Sequence, residues 1–176
     1  MMVWVIKMEE QLPKRKPTRL KSFDYSKTGV YFVTLCTQSR KKILSKVVGV
    51  DVLGDPQSIE LLAYGNVANK YINQLNEFYS NIHVDQYVIM PNHIHILLFV
   101  HNDGSPRTST PTKQTSAVSH FVSTFKRFCN KEYGKNIWQR GFYDHVIRNR
   151  EDYEEHMRYI AENPARWYCD ELYREE

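Results

Sequence analysis

The chain has 176 residues and a mass of 20.9 kDa, with 41% hydrophobic, 13% aromatic and 25% charged residues. That length fits one domain with enough apolar surface for a core, and the aromatic content excludes a generally disordered chain. A net charge of +4 and a pI near 8.9 favour an anionic partner without identifying one.

No apolar run approaches the ~20 residues of a membrane-spanning helix, so no membrane partner is expected. Met1–Lys7 lacks a basic leader and is followed at once by acidic residues, which is not the pattern of a secretory signal. Cys36, Cys129 and Cys169 are far apart and form no CxxC pair, as expected for reduced thiols in a cytoplasmic protein. Bases gather at Lys14–Lys21, Arg40–Lys42, Lys126–Arg127 and Arg140, whereas acids collect after Glu151. A basic body with an acidic end suits a phosphate-backbone binder, although an ordinary solvated surface has the same composition.

In chain order, residues 1–22 read as a basic N-terminal arm without periodicity. Gly29–Gln38, rich in Val, Tyr, Phe and Thr, predicts a strand. Residues 39–57, with Gly49, Gly54 and Pro56, predict an irregular connection. Ser58 is placed as the N-cap of a helix running to about residue 79, on the spacing of Ile59, Leu62, Ala63, Val67, Tyr71, Leu75 and Phe78. Ile82–Met90 and His93–Val100 predict two strands joined by Pro91-Asn92 in an antiparallel hairpin. The Ser/Thr/Pro-rich stretch 102–116 predicts a loop. Val118, Phe121, Val122, Phe125 and Phe128 mark an amphipathic helix, Phe142–Ile147 a strand, and Glu151 to about Asn163 a helix stopped by Pro164. The order β–α–β–β–α–β–α predicts an α+β, ferredoxin-like antiparallel sheet with its helices on one face. Residues 23–164 would form the domain and 165–176 a short acidic C-terminal tail.

His93 and His95 are two apart in a strand, so both imidazoles leave one face and can meet one metal ion. Two histidines on a half-exposed strand would show the same spacing. In the last helix Tyr153, Met157, Ile160 and Ala161 form the apolar stripe, with Tyr159 displaced from it and Asn163 one turn on. A phenol and a carboxamide at that spacing can face an ion held by two histidines, or be a rim tyrosine and a C-cap. Trp138-Gln139-Arg140 through Arg148 interleaves bases, amides and aromatics, as would a clamp on single-stranded nucleic acid or a plain strand with its loop. Lys126 and Arg127 are candidate phosphate contacts. The chain has no GxxxxGK[ST], GxGxxG, GxSxG or HExxH motif, which leaves nucleoside triphosphate hydrolysis, redox cofactor chemistry and serine hydrolysis without support.

Four segments together, DYSKTGVYFVTLCTQSR (24–40), DQYVIMPNHIHILLF (85–99), VSTFKRF (122–128) and IWQRGFYDHVIRNREDYEEHMRYIAENPARW (137–167), resemble the REP-associated tyrosine transposases within the single-tyrosine HUH group. The resemblance covers roughly residues 15–170 and implies the HUH single-strand nuclease type of fold. It implies that His93 and His95 are the metal ligands, that Tyr159 in Tyr-Ile-x-x-Asn-Pro is the nucleophile, and that Asn163 is a polar third ligand where insertion-sequence relatives often carry glutamine. The implied ion is Mg2+ or Mn2+. The implied activity is nicking and rejoining of single-stranded DNA beside palindromic hairpin repeats, through a 5′-phosphotyrosine, in the cytoplasm at the bacterial nucleoid. Lys126, Arg127, Trp138, Gln139, Arg140 and Arg148 are the candidate DNA contacts. The active unit would be a monomer or a homodimer. The alternatives are a domesticated hairpin-binding protein that no longer cleaves, and a metal-dependent hydrolase of small substrates.

Overall fold

The computed structural model describes residues 28–49, 58–101 and 116–173; the proposed N-terminal arm and the 102–115 part of the predicted loop lie outside them. A four-stranded antiparallel sheet is built from β1 (Gly29–Cys36), β4 (Ile82–Ile89), β5 (His93–Val100) and β6 (Tyr143–Ile147), in the order β4-β5-β1-β6. With α1 (Ala63–Phe78), α2 (Ala117–Tyr133) and α3 (Arg150–Glu162), this is the expected α+β, ferredoxin-like arrangement. Among the described residues, no helix is long and apolar enough to cross a membrane.

The expected single helical face holds for α1 and α2 and not for α3. Tyr31, Val33 and Leu35 of β1 and Ile94, Ile96 and Leu98 of β5 form one core with Ala68, Ile72 and Leu75 of α1 and Phe121 and Phe125 of α2. The other face of the same strands is also apolar: Phe32 and Leu97 form a second cluster with Ile160 of α3, flanked by Tyr153 and Met157. Central strands buried on both sides need a layer on each, and α3 supplies the second. His93 and His95 share this second face with Leu97.

A two-stranded sheet pairs β2 (Ser45–Val48), in the stretch expected to be an irregular connection, with β3 (Ser58–Leu61), at the expected start of the helix. Ser58 is therefore in a strand and is not a helix cap. Ile59 and Leu61 alternate with exposed neighbours, and ladder bonds to β2 outweigh the helical spacing that Ile59 and Leu62 mimic. Helix α1 begins instead at Ala63, after the Leu62 amide bonds the Leu44 carbonyl at 2.9 Å. Gly65 is required there, because a Cβ on it would lie 2.0 Å from that same Leu44 oxygen.

Two details set the position of α3. Asn149 caps it, its Oδ1 accepting the Asp152 amide at 2.8 Å. A β-bulge at Asp85 in β4 turns that carboxylate toward α3, where it accepts the Tyr153 hydroxyl at 2.7 Å.

Candidate active site

The hairpin between β4 and β5 closes through Pro91 and Asn92, the Met90 amide bonding the His93 carbonyl at 2.9 Å. His93 and His95 follow, buried to 0% and 3% exposure, with ring centroids 4.5 Å apart. Each ring is held through Nδ1, that of His93 by Asn92 Oδ1 at 2.8 Å and that of His95 by Thr34 Oγ1 at 2.9 Å. This leaves Nε2 of both rings, and both are buried without a hydrogen-bond partner. Burial, and then the Arg40 charge, pull the His93 pKa down to about 3; burial and the neighbouring His93 hold His95 well below its ordinary value. Both imidazoles are therefore neutral and offer a lone pair at physiological pH. Fixing one ring nitrogen so that the other can ligate is the usual preparation of a metal-binding histidine.

Helix α3 brings the tyrosine. Tyr159 lies 5.1 Å from His95 between ring centroids, in the same chain. Phe32 packs against both, its ring 5.0 Å from His95, 4.6 Å from His156 and 6.0 Å from Tyr159. At 39% exposure, Tyr159 opens onto a cleft of about 880 Å³ that also reaches Arg40, His95, His156 and Arg166. One turn later Asn163 is 2% exposed, and its Oδ1 is a third buried atom without a partner.

The segment expected to be an acidic tail is part of the site. Trp167 is buried with its ring 6.0 Å from His93, and the Leu172 carbonyl accepts the Asn92 side-chain amide at 2.8 Å. These contacts deliver Asp170, a residue that sequence reasoning missed. A carboxylate oxygen of Asp170 and one nitrogen each of His93 and His95 all lie within 4.8 Å of one another. Oδ2 of Asp170 accepts from the Tyr159 hydroxyl at 3.2 Å and from Asn163 Nδ2 at 3.0 Å. Burial and the Asp170 charge raise the Tyr159 pKa to about 12. Two neutral imidazoles, a carboxylate and an unpartnered amide oxygen form a donor set that fits a divalent cation.

The proposed DNA contacts fall into two groups. Trp138 is 2% exposed and packs on Phe125 at 5.5 Å, so its indole belongs to the core. Lys126 Nζ donates to the Gln139 carbonyl at 2.9 Å and to the Gly141 carbonyl, and burial lowers its pKa to about 8. The Gln139 amide bonds the Cys36 carbonyl at 2.9 Å. Lys126 and the Gln139 backbone thus hold the loop before β6. Arg127, Arg140 and Arg148 are exposed. Arg148 borders a shallow pit of about 380 Å³ floored by Val30, Phe99, Ile147 and Tyr153.

Residues 26–163 match the model of the family described as Transposase IS200 like. The chain belongs to that family. An uncharacterized protein of Haemophilus influenzae is 28% identical over 174 residues, covering 90% of this chain and 93% of that one. The REP-associated tyrosine transposase of Escherichia coli is 30% identical over 83 residues, 47% of this chain and 44% of that protein. A solved REP-associated tyrosine transposase bound to a REP hairpin has the same fold, with a TM-score of 0.57 at 20% identity over 85% of this chain and 74% of that one. His93, His95 and Tyr159 lie within the matched span. Asp170 lies beyond it.

Proposed function

We propose that this protein is a single-stranded DNA endonuclease and strand transferase that cuts beside palindromic hairpin repeats through a 5′-phosphotyrosine on Tyr159. The observation that carries the reading is the cluster of His93, His95 and Asp170, whose ligand atoms lie within 4.8 Å of one another, with the Tyr159 phenol bonded to the same Asp170 carboxylate and open to a cleft. The relative solved with a REP hairpin supports hairpin DNA as the substrate.

His93, His95, Asp170 and Asn163 would hold a divalent cation, Mn2+ in preference to Mg2+ because two of the donors are imidazoles. Such an ion supplies Lewis-acid polarisation of the scissile phosphate. Tyr159 Oη attacks phosphorus in line, the Tyr159 O–P bond forms, and the P–O3′ bond breaks. The phenol proton leaves as the oxygen becomes an ester, and the departing strand takes up a proton as its 3′-hydroxyl. Asp170 accepts the phenol hydrogen bond before the reaction and so aims the oxygen. Another 3′-hydroxyl reverses the exchange and rejoins DNA, with no nucleotide cofactor. Because Tyr159 reaches His95 of its own chain, one copy holds a complete site, and we read the active unit as a monomer acting at the nucleoid in the cytoplasm.

The intact donor set and tyrosine disfavour a binding protein that has lost cleavage. The test is incubation with a single-stranded hairpin oligonucleotide in Mn2+ and denaturing electrophoresis. A covalent protein–DNA band is expected from the wild type and none from Tyr159→Phe, with hairpin binding retained. A wild type that binds and never forms the band would favour the binding-only reading.

A further inference from the structure

The turn after β1 carries a feature that the site described so far does not use. Ser39 and Arg40 both have φ of +56°, a left-handed conformation that side chains rarely adopt. Hydrogen bonds hold the turn on both sides. The Thr37 amide and hydroxyl both bond the Asn92 carbonyl, at 2.9 and 3.1 Å, and the hydroxyl also donates to the Lys41 carbonyl at 2.8 Å. The Gln38 amide bonds the Ile137 carbonyl at 2.7 Å. This network ties the turn to the residue that orients His93, and it presents the Arg40 side chain to the cleft shared with His95 and Tyr159.

One nitrogen of the guanidinium there is unpaired. Arg40 Nη1 is buried and has no hydrogen-bond partner, and among the described residues no carboxylate pairs with Arg40. The Arg40 charge adds to burial in lowering the pKa of both imidazoles. The rest of the half-buried side chain lies against the Cys36 thiol, and a buried guanidinium nitrogen without a partner is completed well by an anion. The planar guanidinium fork matches two oxygens of one phosphodiester better than a point charge would.

We infer that Arg40 is an anion site for the scissile phosphodiester: its guanidinium takes the non-bridging oxygens while the Tyr159 oxygen bonds to phosphorus. This rests on the reading of the site as a tyrosine nuclease. Arg40 moves no proton. It opposes the additional negative charge that accumulates on those oxygens as the P–O3′ bond breaks, so its loss should be felt in rate far more than in affinity.

The test uses the full-length protein with Mn2+ and a hairpin oligonucleotide bearing a single neutral methylphosphonate, moved one linkage at a time through the strand flanking the hairpin. Arg40→Gln should slow adduct formation about 10²- to 10³-fold with less than about tenfold loss of hairpin affinity, and an unchanged melting temperature. Arg40→Lys should recover only part of the rate, and guanidinium chloride should rescue Arg40→Ala. Affinity gives a readout independent of cleavage. Neutralising the linkage that is cut should cost wild type more affinity than it costs Arg40→Gln, whereas every other linkage should cost the two proteins equally. Equal losses in wild type and variant at every linkage would overturn the anion site. Coupling at a linkage that is not cut would overturn the assignment to the scissile phosphate. Coupling in a wild type that cuts nowhere would leave Arg40 as a phosphodiester site and overturn the nuclease reading instead.

Discussion

The Tyr159 hydroxyl donates to Asp170 Oδ2 at 3.2 Å, and the Asp170 carboxylate, His93 and His95 each place a ligand atom within 4.8 Å of the others. One carboxylate therefore joins nucleophile and metal site. Without a cation it opposes formation of the phenolate, and with burial it holds Tyr159 near pKa 12. Replacing Asp170 with Asn removes a charge that penalises only the ionised phenol. The Tyr159 pKa of the metal-free variant should fall toward the ordinary value near 10, read by NMR of ring-labelled tyrosine. Mn2+ affinity should fall by roughly 10- to 100-fold in the same variant. An unchanged pKa would show that burial alone sets it.

Burial of His93 predicts an acid-sensitive fold. Its folded pKa near 3 lies below the unfolded value of 6.5, so between those limits the unfolded chain binds more protons. Stability is then full above pH 6.5 and declines as the pH falls, by about 2 kcal/mol from this residue by pH 5. Denaturant midpoints of the metal-free protein at pH 7 and pH 5 measure it, and His93→Gln should lose correspondingly less between the two.

How much of this was legible in sequence differs by element. His93-Ile94-His95 was readable because a strand's two-residue period puts both rings on one face whatever surrounds them. Tyr159 and Asn163 were readable as positions one helical turn apart, and the resemblance supplied their roles. Asp170 was not, because it follows Pro164 in a segment with no period and returns to the site only through Trp167 and the Asn92–Leu172 contact. The one available signal was a tryptophan in a stretch otherwise rich in acids. β2 and β3 escaped because four-residue strands carry too few alternations to outweigh a helical spacing beside them. Trp138 and Lys126 looked like a nucleic-acid clamp, since residue type alone cannot tell an indole or ammonium turned inward from one facing solvent.

That distinction is measurable. Lys126→Met should lower the melting temperature and leave the slope of log affinity against log salt unchanged, because its ammonium is committed to two backbone carbonyls. Arg148→Gln should weaken hairpin binding and reduce the slope by about one, with little effect on stability. The opposite pattern would return Lys126 to the DNA surface.

Gly65→Ala tests the close approach that seats α1. The added methyl carbon would meet the Leu44 oxygen at 2.0 Å, and that oxygen also accepts the Leu62 amide. Destabilisation of about 1–3 kcal/mol is expected from forced separation of the two segments, seen as a lower denaturant midpoint. An unaffected midpoint would mean that the helix start can shift freely.

A site completed within one chain makes a prediction about mixtures. Tyr159→Phe and His95→Ala chains, each inactive, should remain inactive when combined, because neither contains both the phenol and the imidazole pair. Restored cleavage would show that subunits exchange α3.

The most direct measurement is tandem mass spectrometry of the protein–DNA adduct after nuclease and protease digestion. A nucleotide attached through phosphate to Tyr159, formed with Mn2+ and absent in chelator, is the predicted result. Attachment at Tyr143 or Tyr153, or an adduct that forms equally well in chelator, would contradict the account.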